Sequence, residues 1–522
     1  MNIVSFSPFG FDGSLVTVEV DLRRGIPAVD VVGLADGTVR ESRERMRAAI
    51  VNSGMEFPPE RVLISLSPAD LKKEGSGFDL AIALAVLEAK RNLGEEEPCA
   101  EIGAAERVLV MGELELSGRV RGVRGVHAAA ATAAAAGIHK CIVPLENVDE
   151  AREAPGGGGM KVFGAASLSD AFTALSGDGC FAAVGQASHA VFVPEGTVEI
   201  EGVQFPPENA AFEFSLIRGQ ARLVRALQIA AAGGHNVLAF GPPGCGKTLA
   251  MQRFGELLPL LTAQESQSVT RIHSLAGILP SGQPLVRIPP FRMPHQTASM
   301  EGLCGGGARC APGDISLAHN GVLFLDEAAE FRTSALQMLR VPLESGSVTL
   351  SRAGRSSTYP ANFQLLLASN PCPCGNFGVD GKVCLCSARS VEMYWKKFSG
   401  PLLDRVDMRV RVGAGLHDDV PPQPTAQLRL AVARAVKAQR RRQSCKNAGI
   451  LPADIARLCT MTGEASDWFD RTARACGLSS RAVASCCKVG RTIADMEQSD
   501  AILLPHIKEA VELRRTESAF EV

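Results

Sequence analysis

Between the apolar run Asn236 to Phe240 and a helical segment lies Gly241-Pro242-Pro243-Gly244-Cys245-Gly246-Lys247-Thr248, which fits the pattern G-x-x-x-x-G-K-[ST]. Each residue type has a task at that spacing. Glycines let backbone N–H groups close around phosphate oxygens, the Lys247 ammonium reaches the β and γ oxygens, and the Thr248 hydroxyl can ligate Mg2+. A strand before and a helix after are the context this mechanism needs, which an unrelated glycine-rich turn lacks. The expected ligands are therefore ATP and Mg2+. Inside the loop, Cys245 stands where a lysine and a helix N-terminus would lower a thiol's pKa and make it oxidation-sensitive; the plain alternative is a small filler.

Downstream, the apolar run Gly321 to Leu325 ends in Asp326-Glu327. A carboxylate at the carboxyl end of a buried strand can hold the Mg2+ shell, and a second acid beside it can orient the attacking water. Asp326 is assigned to the metal and Glu327 to the water, which favours hydrolysis over binding alone. The run Phe363 to Ser369 ends in Asn370, placed to sense the γ-phosphate from an adjacent strand, although an asparagine at a strand end is also an ordinary cap or turn residue. Arg405 admits two roles. It either pairs with Asp404 or Asp407 on the surface, or serves as an arginine finger on a neighbour's nucleotide, which would make the active unit a ring.

Just past Asn370, Cys372, Cys374, Cys384 and Cys386 form two C-x-C pairs in a glycine-rich loop. Four thiolates suit a structural, tetrahedral Zn2+. Because C-x-C is tighter than the usual C-x-x-C knuckle, free thiols stay open as the alternative.

Elements must carry these groups. The chain has 522 residues, 46% hydrophobic and 21% charged, so two to four soluble domains are expected. Residues 1–175 alternate β-branched and helical segments and read as an α/β domain. Residues 176–211, polar and rich in Gly and Pro, read as a linker. A second α/β unit, 212–412, holds the phosphate loop. After a hinge comes an all-α tail, 426–522, with apolar residues at threes and fours. The start lacks the basic and apolar regions of an export signal, the alanine run from Ala128 is too short to cross a bilayer, and the fifteen cysteines suit reduced thiols or metal ligands. The expected location is cytoplasmic, with no membrane partner.

A net charge of −2 gives no global attraction to nucleic acid, and two Trp with two Tyr offer little for base stacking. Contact with DNA would have to be local. Two stretches qualify: the insertion Arg271 to Gly313, with Arg309 among glycines, and the basic run Arg434, Lys437, Arg440, Arg441, Arg442 and Lys446. The first is equally a subunit-contact surface and the second equally a solvated helix face.

The ordered run FRMPHQ, PGDISLAHNGVLFLDEAAEF, LESGSVTLSRAG, LLLASNPCPCG, SGPLLDRVD and LSSRAVASCCKVGRTIADME resembles the magnesium-chelatase-like AAA+ ATPases of the competence protein ComM (YifB) type. The resemblance extends over nearly the whole chain. It implies that Asn370 is sensor 1, that Arg405 is the finger from a neighbour, and that Arg481 is sensor 2 on a C-terminal helical lid. It also implies a P-loop AAA+ core and a hexameric ring acting on DNA, as a helicase or branch-migration motor in recombination and natural transformation. A chelatase-type ATPase remodelling a protein complex is the alternative. One departure is Pro294-His295-Gln296 where the family has Pro-His-His.

Residues 66–87 resemble the Lon-protease (S5-type) domain. Alignment on Lys73-Glu74-Gly75 puts Gly77 where the nucleophilic serine would stand, with Ser76 beside it, and His127 near the partner lysine's place. A hydroxyl nucleophile needs a base within hydrogen-bond reach. The domain is therefore expected to be a Lon-like, ChlI-type module without a catalytic dyad.

Overall fold

The computed structural model describes residues 2–34, 37–69, 73, 75–94, 106–156, 159–176, 192–280, 283–307, 310–352, 355–377, 382–413 and 421–515. Arg309, most of the hinge before the tail and the first part of the expected linker lie outside the described residues.

The first unit is a seven-stranded mixed sheet ordered Val29–Val32, Arg61–Ser67, Ser14–Arg23, Asn2–Ser7, Arg107–Val110, Lys140–Pro144, Lys161–Ala165. Period-2 alternation sends neighbours to opposite faces. Ile3 joins one core with the helices Gly37–Asn52 and Asp79–Gly94, while Val4 and Phe6 join another with the alanine-rich helix Val126–Ala135. Ala128 to Ala131 and Ala133 are buried, and their small size lets that helix approach Ala263–Ala276 of the second unit closely. The contact is tied by His127 Nε2 to Gln267 Oε1 at 2.7 Å, Ser274 Oγ donating to Glu150 at 2.5 Å, and Arg271 over the Phe11 ring at 4.6 Å.

The second unit is a five-stranded, all-parallel sheet ordered Phe291–Arg292, Val322–Leu325, Gln364–Ser369, Val237–Phe240, Met408–Arg411. Counted along the chain this is the order 2-3-4-1-5. Both faces are covered, so the central strands are uninterrupted apolar runs. Val322 and Phe324 enter the core on one side and Leu323 and Leu325 the core on the other. The sequence marks the three central strands; the two edge strands are too short or too charged to show a pattern.

Two segments differ from expectation. Within the stretch read as a linker, Val198–Ile200 and Val203–Phe205 pair as an antiparallel hairpin, and Val203 and Phe205 are buried in the core with Arg429 over the Phe205 ring at 5.5 Å. Val198, Ile200, Val203 and Phe205 alternate with Glu199 and Gln204, a strand pattern too short to stand out within a stretch otherwise rich in polar residues, Gly and Pro. The helical tail, Thr425–Arg442, Gly463–Ala475, Ser480–Met496 and Leu504–Arg514, also shares one continuous hydrophobic cluster with the second sheet, through Leu428, Val432, Val436 and Ile493. Among the described residues, no helix is long and apolar enough to cross a membrane.

Candidate nucleotide site

Three adjacent parallel strands, Val237–Phe240, Val322–Leu325 and Gln364–Ser369, end at one edge of the sheet and bring Lys247, Thr248, Asp326, Glu327 and Asn370 together. Ligand sites in open α/β sheets form at that edge. Gly244 and Gly246 have φ of +78° and +86°, and a Cβ on either would meet nothing within 4 Å, so the loop is an open cradle of backbone N–H groups. Gly241 is required for another reason: a Cβ there would stand 2.0 Å from the carbonyl oxygen of Val412, the residue just after the neighbouring strand.

Lys247 is buried at the start of helix Lys247–Gln252, and its Nζ donates to the carbonyls of Gly241 at 2.8 Å and Pro242 at 2.7 Å. It also reaches Asn370 Oδ1 at 3.4 Å and Cys245 Sγ at 3.6 Å. Thr248 Oγ1 donates to both Asp326 carboxylate oxygens, at 2.9 and 3.1 Å. This hydroxyl and carboxylate are an all-oxygen donor set of the kind Mg2+ takes. Together with the open glycine cradle, they fit an Mg-nucleotide. Glu327 has φ +48°, a left-handed conformation that costs a non-glycine residue about 1 kcal/mol or more and gathers at functional sites. Its N–H donates to Asp326 Oδ1 at 3.0 Å, and its carboxylate is exposed toward solvent.

Arg405 and Arg481 lie elsewhere. They line an open cleft of about 520 Å³ with Arg340, Asp404 and Arg409, and no residue of the phosphate loop borders it. Both guanidinium groups contact one carboxylate oxygen of Glu344 at 2.5 Å, and Arg481, then Arg405, hold that carboxyl down at about 2. Arg405 is thus in a salt bridge, but with Glu344 and not with Asp404 or Asp407. Asp404 is taken by Arg514 at 3.0 Å and Ser479 at 3.2 Å. Asp407 accepts from the Asn236 N–H at 3.0 Å and Ser485 Oγ at 2.6 Å. Nothing in the sequence sets Arg481 on the same cleft as Arg405, and Glu344, which joins them, carries no signal of its own.

Asp407 fixes the arginine-bearing turn to the tail helix and to the phosphate-loop strand. Burial raises its pKa, but His235, Ser485 and the Asn236 N–H outweigh this and bring it to about 2. A carboxyl depressed in the folded state stabilises above its unfolded value and loses that contribution as pH falls toward 2. Asp407→Ala is therefore expected to cost about 2 to 3 kcal/mol at neutral pH, read by urea denaturation, with the difference from wild type shrinking below about pH 4. An unchanged midpoint at neutral pH would show that Asp407 holds nothing.

Other expected positions are dispersed. Ser76 Oγ donates to Glu113 at 2.5 Å, Lys73 Nζ donates to the Pro68 carbonyl, and buried His127, whose pKa burial pushes down to about 4, faces Gln267. His295 Nδ1 meets its local neighbour Thr297 Oγ1 at 2.8 Å. In the basic run, Arg442 forms a bidentate pair with Asp495 at 2.7 Å and Lys437 pairs with Glu201 at 3.0 Å, while Arg440 and Arg441 are exposed. Part of that run therefore holds the fold. Cys372, Cys374, Cys384 and Cys386 cluster, with all four sulfurs within 4.8 Å of one another.

Comparison with known proteins follows this division. Residues 18–147 match the family described as subunit ChlI of Mg-chelatase, 213–419 match magnesium chelatase, subunit ChlI, and 422–514 match its C-terminal family. A Mycobacterium tuberculosis protein is 42% identical over 437 residues, covering 83% of this chain and 81% of its own. YifB of Escherichia coli is 38% identical over 515 residues, 97% of this chain and 95% of its own. Competence protein ComM of Haemophilus influenzae is 35% identical over 518 residues, 98% and 97%. This chain belongs to the magnesium-chelatase-like ATPase family that contains YifB and ComM.

Proposed function

We propose that this chain is the subunit of an ATP-hydrolysing ring, a hexamer by family resemblance, that acts as a motor on DNA, with branch migration in recombination and natural transformation as its role. The observation that carries the ring is the separation of parts within one chain. Lys247, Thr248, Asp326, Glu327 and Asn370 converge on one edge of the sheet, while Arg405 and Arg481 share a different cleft. Cations needed for phosphoryl transfer, held away from the chain's own cradle, suit a neighbour's nucleotide.

Lys247 and the loop's N–H groups would bind the phosphates, with Thr248 and Asp326 holding Mg2+. Mg2+ supplies charge neutralisation on the β and γ oxygens when bound. Glu327 would accept the proton of the attacking water, and Asn370 would position that water or the γ-phosphate. Arg405 and Arg481 would reach the transferring group together from the adjacent subunit, exchanging Glu344 for phosphate oxygens. That differs from a finger and a lid residue arriving separately. The N-terminal unit is read as a Lon-like, non-catalytic module engaging ring or substrate, a reading supported by the local partners that occupy Ser76, Lys73 and His127. A cytoplasmic location is part of this reading.

The DNA client rests on similarity to a competence protein. The second reading, remodelling of a protein complex, rests on the chelatase families matched by all three parts of the chain. ATPase rate with and without single-stranded or forked DNA separates them. Stimulation that weakens as salt rises is expected for the motor. A rate unaffected by any DNA at low salt would move the assignment to a protein client.

A further inference from the structure

The four-cysteine loop after Asn370 takes no part in the chemistry above, yet it is packed the wrong way round for a loop held by apolar contacts. Cys384 and Cys386 are turned in toward Cys372 and Cys374, while their sequence neighbours Val383 and Leu385 are 77% and 90% exposed. Valine and leucine carry more apolar surface than a thiol, so burial driven by apolar area alone would turn them inward first. The loop is organised around sulfur instead.

Its geometry says which sulfur chemistry. The Sγ separations are 3.4 Å for Cys372 and Cys374, 3.7 Å for Cys372 and Cys384, and 3.6 Å for Cys374 and Cys384. A disulfide would require about 2.0 Å. Four sulfurs placed tetrahedrally about 2.3 Å from a central Zn2+ stand about 3.8 Å apart, close to these three separations, and the Cys386 sulfur lies within 4.8 Å of the other three. The Phe377 N–H donates to Cys372 Sγ at 3.3 Å, the kind of outer-shell bond that orients a metal-bound ligand. Gly375, at φ +79°, provides the tight turn after the first pair.

We propose that Cys372, Cys374, Cys384 and Cys386 bind one Zn2+ as a closed four-thiolate site, and that this centre is a positioning element for the phosphate loop. On binding, the four thiols release their protons to solvent and become thiolates, and all four coordination positions are filled by protein. No position stays open for water or substrate, so the site is structural. Its reach into the nucleotide site is short. Asn370 lies two residues before Cys372, and the intervening Pro371 carbonyl accepts from Trp395 Nε1 at 3.0 Å. A Cβ on Gly375 would stand 2.7 Å from Pro243 Cδ, so the metal-bearing turn lies directly against the phosphate loop. Fixing this turn fixes one wall of the cradle that Lys247 closes. The metal site stands independently of the nucleotide assignment; its effect on ATP rests on that assignment.

The test begins with metal analysis of the full-length protein purified without chelator. One zinc per chain is expected, released by stoichiometric mercurial reagent and detected with a chromogenic chelator. Cys384→Ser with Cys386→Ser should lower the zinc content at least about tenfold, whereas Cys445→Ser, at an exposed thiol elsewhere, should leave it unchanged. Should the double variant fail to fold, wild-type protein loaded with Co2+ is the second readout, and it should show the visible bands of tetrahedral cobalt thiolate. Protein that takes up neither zinc nor cobalt would overturn the site, and iron at one per chain would overturn the choice of metal. Removal of zinc from wild type should then weaken binding of a fluorescent ATP analogue about tenfold with circular dichroism unchanged. Unaltered affinity would remove the positioning role, whereas zinc-loaded protein that binds no nucleotide would refute the phosphate-loop assignment and leave the metal site standing.

Discussion

Arg405→Ala is expected to lower ATP turnover by about 10³ to 10⁵-fold while leaving nucleotide affinity nearly unchanged. The size follows from what the guanidinium does in phosphoryl transfer. It stabilises charge spread over the equatorial oxygens of the transferring group, charge that ground-state ATP carries in a different distribution, so turnover falls and binding persists. The structure adds a reason for the group's accuracy of placement. Arg514 and Ser479 hold Asp404, and Ser485, His235 and the Asn236 N–H hold Asp407, so the turn bearing Arg405 is clamped from both sides. Asn236 Nδ2 also donates to the Arg405 carbonyl at 3.0 Å, which couples the turn to the strand leading into the phosphate loop. Because the arginine serves a neighbour, mixing Arg405→Ala chains with Lys247→Ala chains should restore part of the rate. Each mixed junction can combine an intact cradle with an intact arginine. No recovery at any mixing ratio would place the arginine's action within its own chain.

The second large effect is expected at Glu327. Glu327→Gln keeps shape and polarity but cannot take the proton of the attacking water, so turnover should fall by about 10² to 10⁴-fold, the usual contribution of a general base. Asp326 and Thr248 keep their mutual hydrogen bonds, and Lys247 keeps its place, so Mg-ATP should bind and remain bound. Trapped ATP should also stabilise the assembled ring. Single-turnover hydrolysis with isolated rings is the check; turnover at the wild-type rate would put the general base elsewhere.

The nucleotide cradle was legible because its chemistry dictates both residue types and order. A lysine and threonine after glycines, and acids at the end of a wholly apolar strand, are patterns that the backbone must place at one sheet edge once the strands are parallel. Less could be read where contacts join distant segments. Glu344 is an ordinary acid in a short helix, Pro342–Ser345, and only the fold sets it between Arg405 and Arg481. The hairpin at 198–205 was hidden because its two strands are only three residues each, too short for the alternation of Val198, Ile200, Val203 and Phe205 with Glu199 and Gln204 to stand out from the polar stretch around them. Arg442 read as one charge in a basic run because Asp495, which pairs with it, is far along the chain. The four cysteines were visible by spacing, but the contact of Gly375 with Pro243 was not, since nothing in either residue's type points to the other.

The most direct measurement is ATPase rate per chain across a dilution series that passes through the assembly equilibrium, with mass measured at each concentration. The account predicts a rate that collapses as rings dissociate into single chains, because each cradle then loses the Arg405 and Arg481 of its neighbour. A full rate per chain in samples shown to be monomeric would contradict it.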